Sequence, residues 1–268
     1  MDPTVSGRRR RWHWGYVSVP AAVLIWYGAT RGVPAFIFPG PLDVLQTALA
    51  SLSTRTFYEG LGASLFRLLV GFGAGGVLGS ALGIAAGRFR GIDEALGPFV
   101  SFFQAVPPIT WVPLFVMVLG IGNLPIMSVV TMASLFPVII AVEGGMRAIP
   151  KSQTLAARAL GARGWPIVVR FYLPALQPSL AGGLRVGFGI AWRSLVASEM
   201  VGGNNGIGFS IQTAGQVGNM SAVVFGILVI GALSLLFDGL VLRPLERGQR
   251  TGPRRRSPAA RAAEGIDA

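Results

Sequence analysis

The sequence predicts an all-α protein that crosses a membrane about six times, and three observations carry that prediction. Of the 268 residues, 52% are hydrophobic and 13% charged, a balance that cannot clothe a soluble globule in a charged skin. Mostly apolar runs recur through the chain, each near the roughly 20 residues that a hydrocarbon slab of about 30 Å requires. Arginine and lysine gather in alternate connections, the pattern left when cytoplasmic loops retain positive charge.

Taken in order, Arg8 to Arg11 with Trp12 and Trp14 form a basic, aromatic flank to the first apolar segment, residues 16–30. A signal peptide looks similar, but Thr30 to Val33 lack a small-x-small cleavage pattern, so the segment is read as a helix. His13, the sole histidine, lies between two tryptophans and reads as an interfacial anchor rather than a metal ligand. Pro34, Pro39 and Pro41 lead through a turn into LDVLQTALASL, an amphipathic surface helix.

The second crossing, residues 65–87, carries Gly71, Gly75, Gly79, Gly83 and Gly87, each four positions from the last. Successive glycines differ by about 40° around a helix, so they make one slowly winding groove for close helix packing. Gly71 to Gly76 also fits G-x-G-x-x-G, but no strand precedes it, so the packing reading is preferred to a nucleotide site. A charged hairpin (Arg88, Arg90, Asp93, Glu94) follows, then a third crossing at 99–119. Pro107, Pro108 and Pro113 deprive that crossing of backbone donors, which turns it toward the protein interior. Pro107, Pro108 and Trp111 are therefore candidates for a translocation path; a kink that serves only packing explains the prolines equally well.

Gly120 to Asn123 turn the chain into a fourth crossing at 125–142, kinked at Pro137. Residues 152–174, SQTLAARALGARGWPIVVRFYLP, are a polar, arginine-bearing interruption. Gln153 to Leu160 are strong helix formers and Gly161 ends or bends that helix. A fifth crossing at 178–200 and a sixth at 222–242 flank an uncharged loop, 202–220, whose glycines with Asn204 and Asn205 suit a gate, a docking surface or a plain connector. Residues 1–242 read as one transmembrane domain and 243–268 as a basic, disordered tail.

Arg8 to Arg11, Arg88, Arg90, Arg147, Lys151, Arg158, Arg163, Arg170 and the tail arginines share one side of this topology; Arg31 and Arg55 occupy the other. Both termini and residues 152–174 are accordingly expected in the cytoplasm, in a multi-pass protein of the cell membrane. The net charge of +12 is thereby a topology signal that requires no nucleic acid. The absence of cysteine removes disulfides and thiolate chemistry, and no metal site is expected. The sole lysine, Lys151, follows Pro150, so no G-K-[ST] phosphate loop exists. A membrane-embedded enzyme lacks its machinery here, with no H-E-x-x-H and no paired intramembrane carboxylates. A gradient-driven secondary transporter is the alternative, although it calls for buried carboxylates and inverted repeats that are not evident.

LAARALGARGWPIVVRFYLP resembles the cytoplasmic motif of binding-protein-dependent ABC importer permeases, which reads E-A-A, three residues, G, a spacer and L-P. Ala156, Ala157, Gly161, Leu173 and Pro174 fall on matching positions, and Leu155 replaces the leading glutamate. SLFRLLVGFGAGGVLGSALGIAAG, QAVPPITWVPLFVMVLGIGN and AWRSLVASEMVGGNNGIG resemble, in order, segments of the branch that imports nitrate, sulfonates and taurine. The resemblance implies a type I importer architecture. It also implies a second permease copy, an external solute-binding protein, and separate ATPase subunits that bind ATP and magnesium. Ala156, Ala157, Arg158 and Gly161 would then belong to a helix that couples to the ATPase, with Leu173 and Pro174 closing the motif.

Intramembrane charges point to the solute. An arginine well inside a crossing costs about 2.5 to 3.5 kcal/mol on insertion scales, and such residues face the bundle interior. Arg185 and Arg193, eight residues apart and so about 80° apart, are placed on one broad face. Beside Trp192, Arg193 is a candidate anion site on the path; snorkelling to the outer interface is the competing reading. Glu199 either contributes to the path by pairing with an arginine or merely ends the helix, and Asp238 with Arg243 reads as a structural anchor.

Overall fold

The computed structural model describes residues 15–162 and 164–242. The expectations for the basic flank at 8–14, for Arg163 and for the tail lie outside these residues. Within them the chain is helical, with no strand. It begins with α1 (Gly15–Ala29), α2 (Pro41–Leu52), α3 (Arg55–Arg88), α4 (Arg90–Ala105) and α5 (Val112–Leu119). It continues with α6 (Asn123–Ala148), α7 (Lys151–Ala159), α8 (Trp165–Ile167), α9 (Leu173–Gly202), α10 (Ile207–Gln216) and α11 (Met220–Phe237).

The centre of the subunit is α3 laid on α6, with α9 packed against α6. A Cβ on Gly71, Gly79 or Gly83 would stand 2.8–2.9 Å from atoms of Val130, Val138 or Val142 and from the backbone carbonyls of Met127, Leu135 or Ile139. At Gly75 and Gly87 it would press closer still on Ser134 and Met146. The partner residues rise in step with the glycines, so the two helices run parallel in fixed register. On the other flank of α6, Gly183 and Gly187 bring α9 against Ala141 and the Ser134 carbonyl. Lipid offers no hydrophobic drive to join helices, so this close backbone approach is what holds the bundle. Leu68, Ile126, Val130, Phe188, Trp192 and Leu195 fill the core at one level. Val138, Val142, Met146, Tyr172 and Leu176 fill it nearer α7.

Three expectations change. The charged hairpin at 88–94 does not form: Phe89 alone, in extended backbone, separates α3 from α4. Arg88 closes α3, and at the start of α4 Arg90 pairs with Glu94 at 2.7 Å and Asp93 reaches Arg147. The third crossing is not one kinked helix, because α4 and the segment Pro108–Leu119 meet at 95°. Pro107 and Pro108 lack donors and Pro107 takes φ −56, ψ 132, so the helix stops there and restarts in a 3₁₀ turn, Pro108–Trp111. The loop at 202–220 holds α10, which buries Ile207, Gly208 and Ile211.

By length and apolar composition, Arg55–Arg88, Asn123–Ala148 and Met220–Leu240 are each able to cross a membrane, and the bent pair makes a fourth if it is one crossing. Helix α9 has the length, about 45 Å at 1.5 Å per residue, but carries Arg185, Arg193 and Glu199. The described part of α1 is 15 residues, short of a full span.

Candidate functional site

Functional geometry collects at the α7 end, along one face of α9, and at the α10 end. At the first, α7 stops in a Schellman turn. The amide of Gly161 donates to the Arg158 carbonyl and that of Ala162 to the Ala157 carbonyl, both at 3.0 Å. Gly161 has φ +86, where a side chain would be strained, so this position requires glycine. Ala157 and Ala162 pack on the cluster formed by Met146, Ile167 and Tyr172, which seats the segment on the ends of α6 and α9. Ala156, Arg158, Gly161, Leu173 and Pro174 are exposed and Ala157 is half-buried. Leu155 is 64%, Leu160 90% and Trp165 75% exposed, three large apolar side chains left bare within this segment.

Along α9, Ile190, Arg193, Ala197, Met200 and Val201 share a face opposite the core. Two cavities open on it. The larger, about 540 Å³ towards α10, is bounded by Ile109, Ala197, Met200, Gln212, Thr213 and Gln216 among others. The smaller, about 100 Å³, is bounded by Gln104, Pro108, Phe136 and Ile190 among others. The turn after α4 thus touches both. Pro108 lines one cavity, Ile109 the other, and Pro107 is exposed beside them. Trp111 packs on Phe103, ring centroids 5.2 Å apart, with its indole N–H lacking an acceptor. Arg193 is exposed, its Nε donating to the Gly189 carbonyl at 2.8 Å.

At the α10 end, Arg67 and Glu199 form an ion pair at 2.8 Å with both side chains fully enclosed. Glu199 also accepts from the Ser64 hydroxyl at 2.8 Å and from the Gly208 amide at 3.0 Å. Arg67 donates from Nη1 to the Asn205 carbonyl and from Nε to Asn123 Oδ1, each at 2.8 Å, and from Nη2 to Asn205 Oδ1. The Ser64 hydroxyl in turn accepts from the Ile207 amide at 2.9 Å. A buried charge pair holds only when its remaining donors and acceptors are answered, and here they are. Gly206, at φ +113, leaves room for the Glu199 carboxylate, which a Cβ would meet at 2.5 Å. The cluster ties α3, α6 and α9 to the start of α10.

A family model described as the binding-protein-dependent transport system inner membrane component matches residues 76–244. The chain belongs to that family. A probable ABC transporter permease protein of Brucella melitensis is 33% identical over 81% of this chain and 87% of its own. The taurine transport system permease protein TauC of Escherichia coli K12 is 29% identical over 92% of this chain and 95% of its own. The nitrate import permease protein NrtB of Synechocystis sp. is 28% identical over 84% of this chain and 85% of its own. Among solved structures, a chain of the MetNI methionine ABC transporter in an inward-facing conformation superposes with TM-score 0.53 at 19% identity, over 71% of this chain and 96% of that one, a likeness of fold. The protein is therefore a multi-pass permease subunit of an ABC importer. It works with a solute-binding protein and a separate ATPase subunit and is not itself the enzyme.

In this permease the sequence-based site residues divide. Pro107, Pro108 and Arg193 stand at the α9 face and its cavities. Trp192 instead faces the core at 4% exposure, stacked near Phe188. Glu199, fully buried, answers Arg67 rather than an open path. Arg185 does not share the open face with Arg193, because it bonds Asp238 at 3.1 Å. The expected partnership of Asp238 with Arg243 lies outside the described residues.

Proposed function

We propose that this permease forms the membrane path for a small anionic solute and that residues 152–174 are the surface through which ATP hydrolysis drives it. One observation carries the second half of the reading. A short helix, the glycine-dependent turn that ends it and the start of α8 leave Leu155, Leu160 and Trp165 bare at the end rich in arginine. Apolar side chains held out from a rigid seat fit a partner groove. Leu155, where the family motif has glutamate, offers such a groove an apolar contact in place of a charge.

Orientation follows the same cations. Arg88, Arg90, Arg147, Lys151, Arg158 and Arg170 lie at the α7 end and Arg31 and Arg55 at the other, which supports a cytoplasmic α7 and cytoplasmic termini. ATP and magnesium would be held by the ATPase. Two copies of the permease complete the path, and residues 1–242 act as one domain. The solute class rests on the relatives named for taurine and nitrate.

Co-purification tests the reading. Leu160→Glu is expected to lower recovery of the ATPase with the permease by about tenfold, as loss of a central apolar anchor does. Undiminished recovery and ATP-driven uptake would reject the α7 surface as the coupling site.

A further inference from the structure

The open face of α9 carries a cation whose place the bundle does not explain. Arg193 lies nine residues before the end of α9, about 14 Å along its axis. Its Nε bonds the Gly189 carbonyl one turn towards α7, so the side chain leans away from the nearer end of the helix. That direction is the reverse of snorkelling to the α10 end. No carboxylate among the described residues pairs with it. The nearest carboxylate along α9, Glu199, is six residues on and about 120° around the helix, already committed to Arg67. An arginine bared to acyl chains at that depth is disfavoured, so this face is covered by protein or water.

The surroundings favour water. Ile190 on one side of Arg193 and Ala197, Met200 and Val201 on the other line the two cavities, and neither cavity has a charged lining residue. The larger instead offers Gln212, Thr213 and Gln216, neutral groups that hydrogen-bond without competing for a cation. Arg193 itself lines neither cavity, but an uncompensated guanidinium on a helix face that borders both neutral, partly polar chambers attracts an oxyanion and repels a cation.

We infer that Arg193 is the solute-selecting residue of this permease: its guanidinium, with the same residue of a second copy, binds the sulfonate, carboxylate or nitrate oxygens of the solute between the two cavities. The inference rests on the anionic-solute reading above and adds the residue that enforces it.

The chain has no cysteine, which permits a charge-replacement test in proteoliposomes holding the permease with its ATPase and binding protein. The probes are taurine, ethanesulfonate and nitrate. Arg193→Leu is expected to reduce ATP-driven uptake by about tenfold or more, and Arg193→Lys to stay within about threefold of wild type, since lysine keeps the charge but not the fork. Arg193→Cys should be inactive, should react with water-soluble methanethiosulfonates, and should regain uptake with the ethylammonium reagent but not with the ethylsulfonate reagent. Wild-type uptake matched by Arg193→Leu, or an introduced thiol in Arg193→Cys that fails to react, would overturn the inference and leave the solute reading standing. Wild-type uptake of none of the three probes would reject the solute reading and this inference with it.

Discussion

At the scale of single residues, the Arg67–Glu199 pair decides how the α10 end is built. Removing one member of a fully buried pair strands the other, at a cost of about 3–5 kcal/mol. Arg67→Met is therefore expected to lower the thermal unfolding temperature in detergent sharply. Arg67→Met with Glu199→Gln should recover most of the loss, because no charge is left unanswered. Equal melting of the single variant and wild type would show that the pair contributes nothing to stability. Gly161→Ala forces a Cβ into left-handed backbone, about 1–2 kcal/mol against the Schellman turn. The expected outcome is severalfold weaker recovery of the ATPase with the permease, measured by pull-down. From the sequence, pairing with an arginine was one of two readings of Glu199, the other being a residue that merely ends the helix. Which arginine was not legible, because 132 residues separate Glu199 from Arg67 and only the packing of α3 beside α9 joins them.

At the scale of elements, the glycines of α3 are spaced for a neighbour and α6 fills the groove. Gly75→Leu drives a side chain into Ser134 and the Thr131 carbonyl, whereas Gly73→Leu meets open space. The former is expected to abolish recovery of folded permease by size-exclusion chromatography and the latter to leave it unchanged, overpacking typically costing about 1–3 kcal/mol or more. Equal recovery would remove the α3–α6 seam from the account. Helix α10 is pinned at its start by Glu199 and Ser64 and seated on α11 through Ile211, so it should move with the bundle rather than as a free flap. A Cβ at position 226 stands 3.8 Å from Ile211 Cβ, a separation suited to a disulfide. Oxidised Ile211→Cys/Gly226→Cys permease is expected to retain uptake; block by oxidant and recovery on reduction would identify α10 as a moving gate. Four-residue glycine spacing made α3 legible, since helix period and register are both local. Helix α10 was hidden because IGFSIQTAGQ has the glycines and neutral polar residues of a loop, and its one signal was the i, i+4 pair Ile207 and Ile211. The prolines marked where the third crossing breaks. Its 95° angle depends on how α5 packs against α6 and α9, which no local pattern records.

At the scale of the whole molecule, charge placement, the α7 surface and the open α9 face describe a subunit that is incomplete alone. The family and the all-α class were readable from composition and from the motif around Ala156 to Gly161. Arg193 was legible as a candidate, but which residues share its face was not, because hydropathy averages around the helix while function depends on which side each residue occupies. The central claim is that this chain conducts a solute only when a separate ATPase drives it. Uptake of radiolabelled taurine into proteoliposomes, with permease alone and with permease, ATPase and binding protein together, tests it most directly. The expected result is uptake only in the complete assembly and only with ATP, whereas uptake by the permease alone under a proton or sodium gradient would contradict the claim.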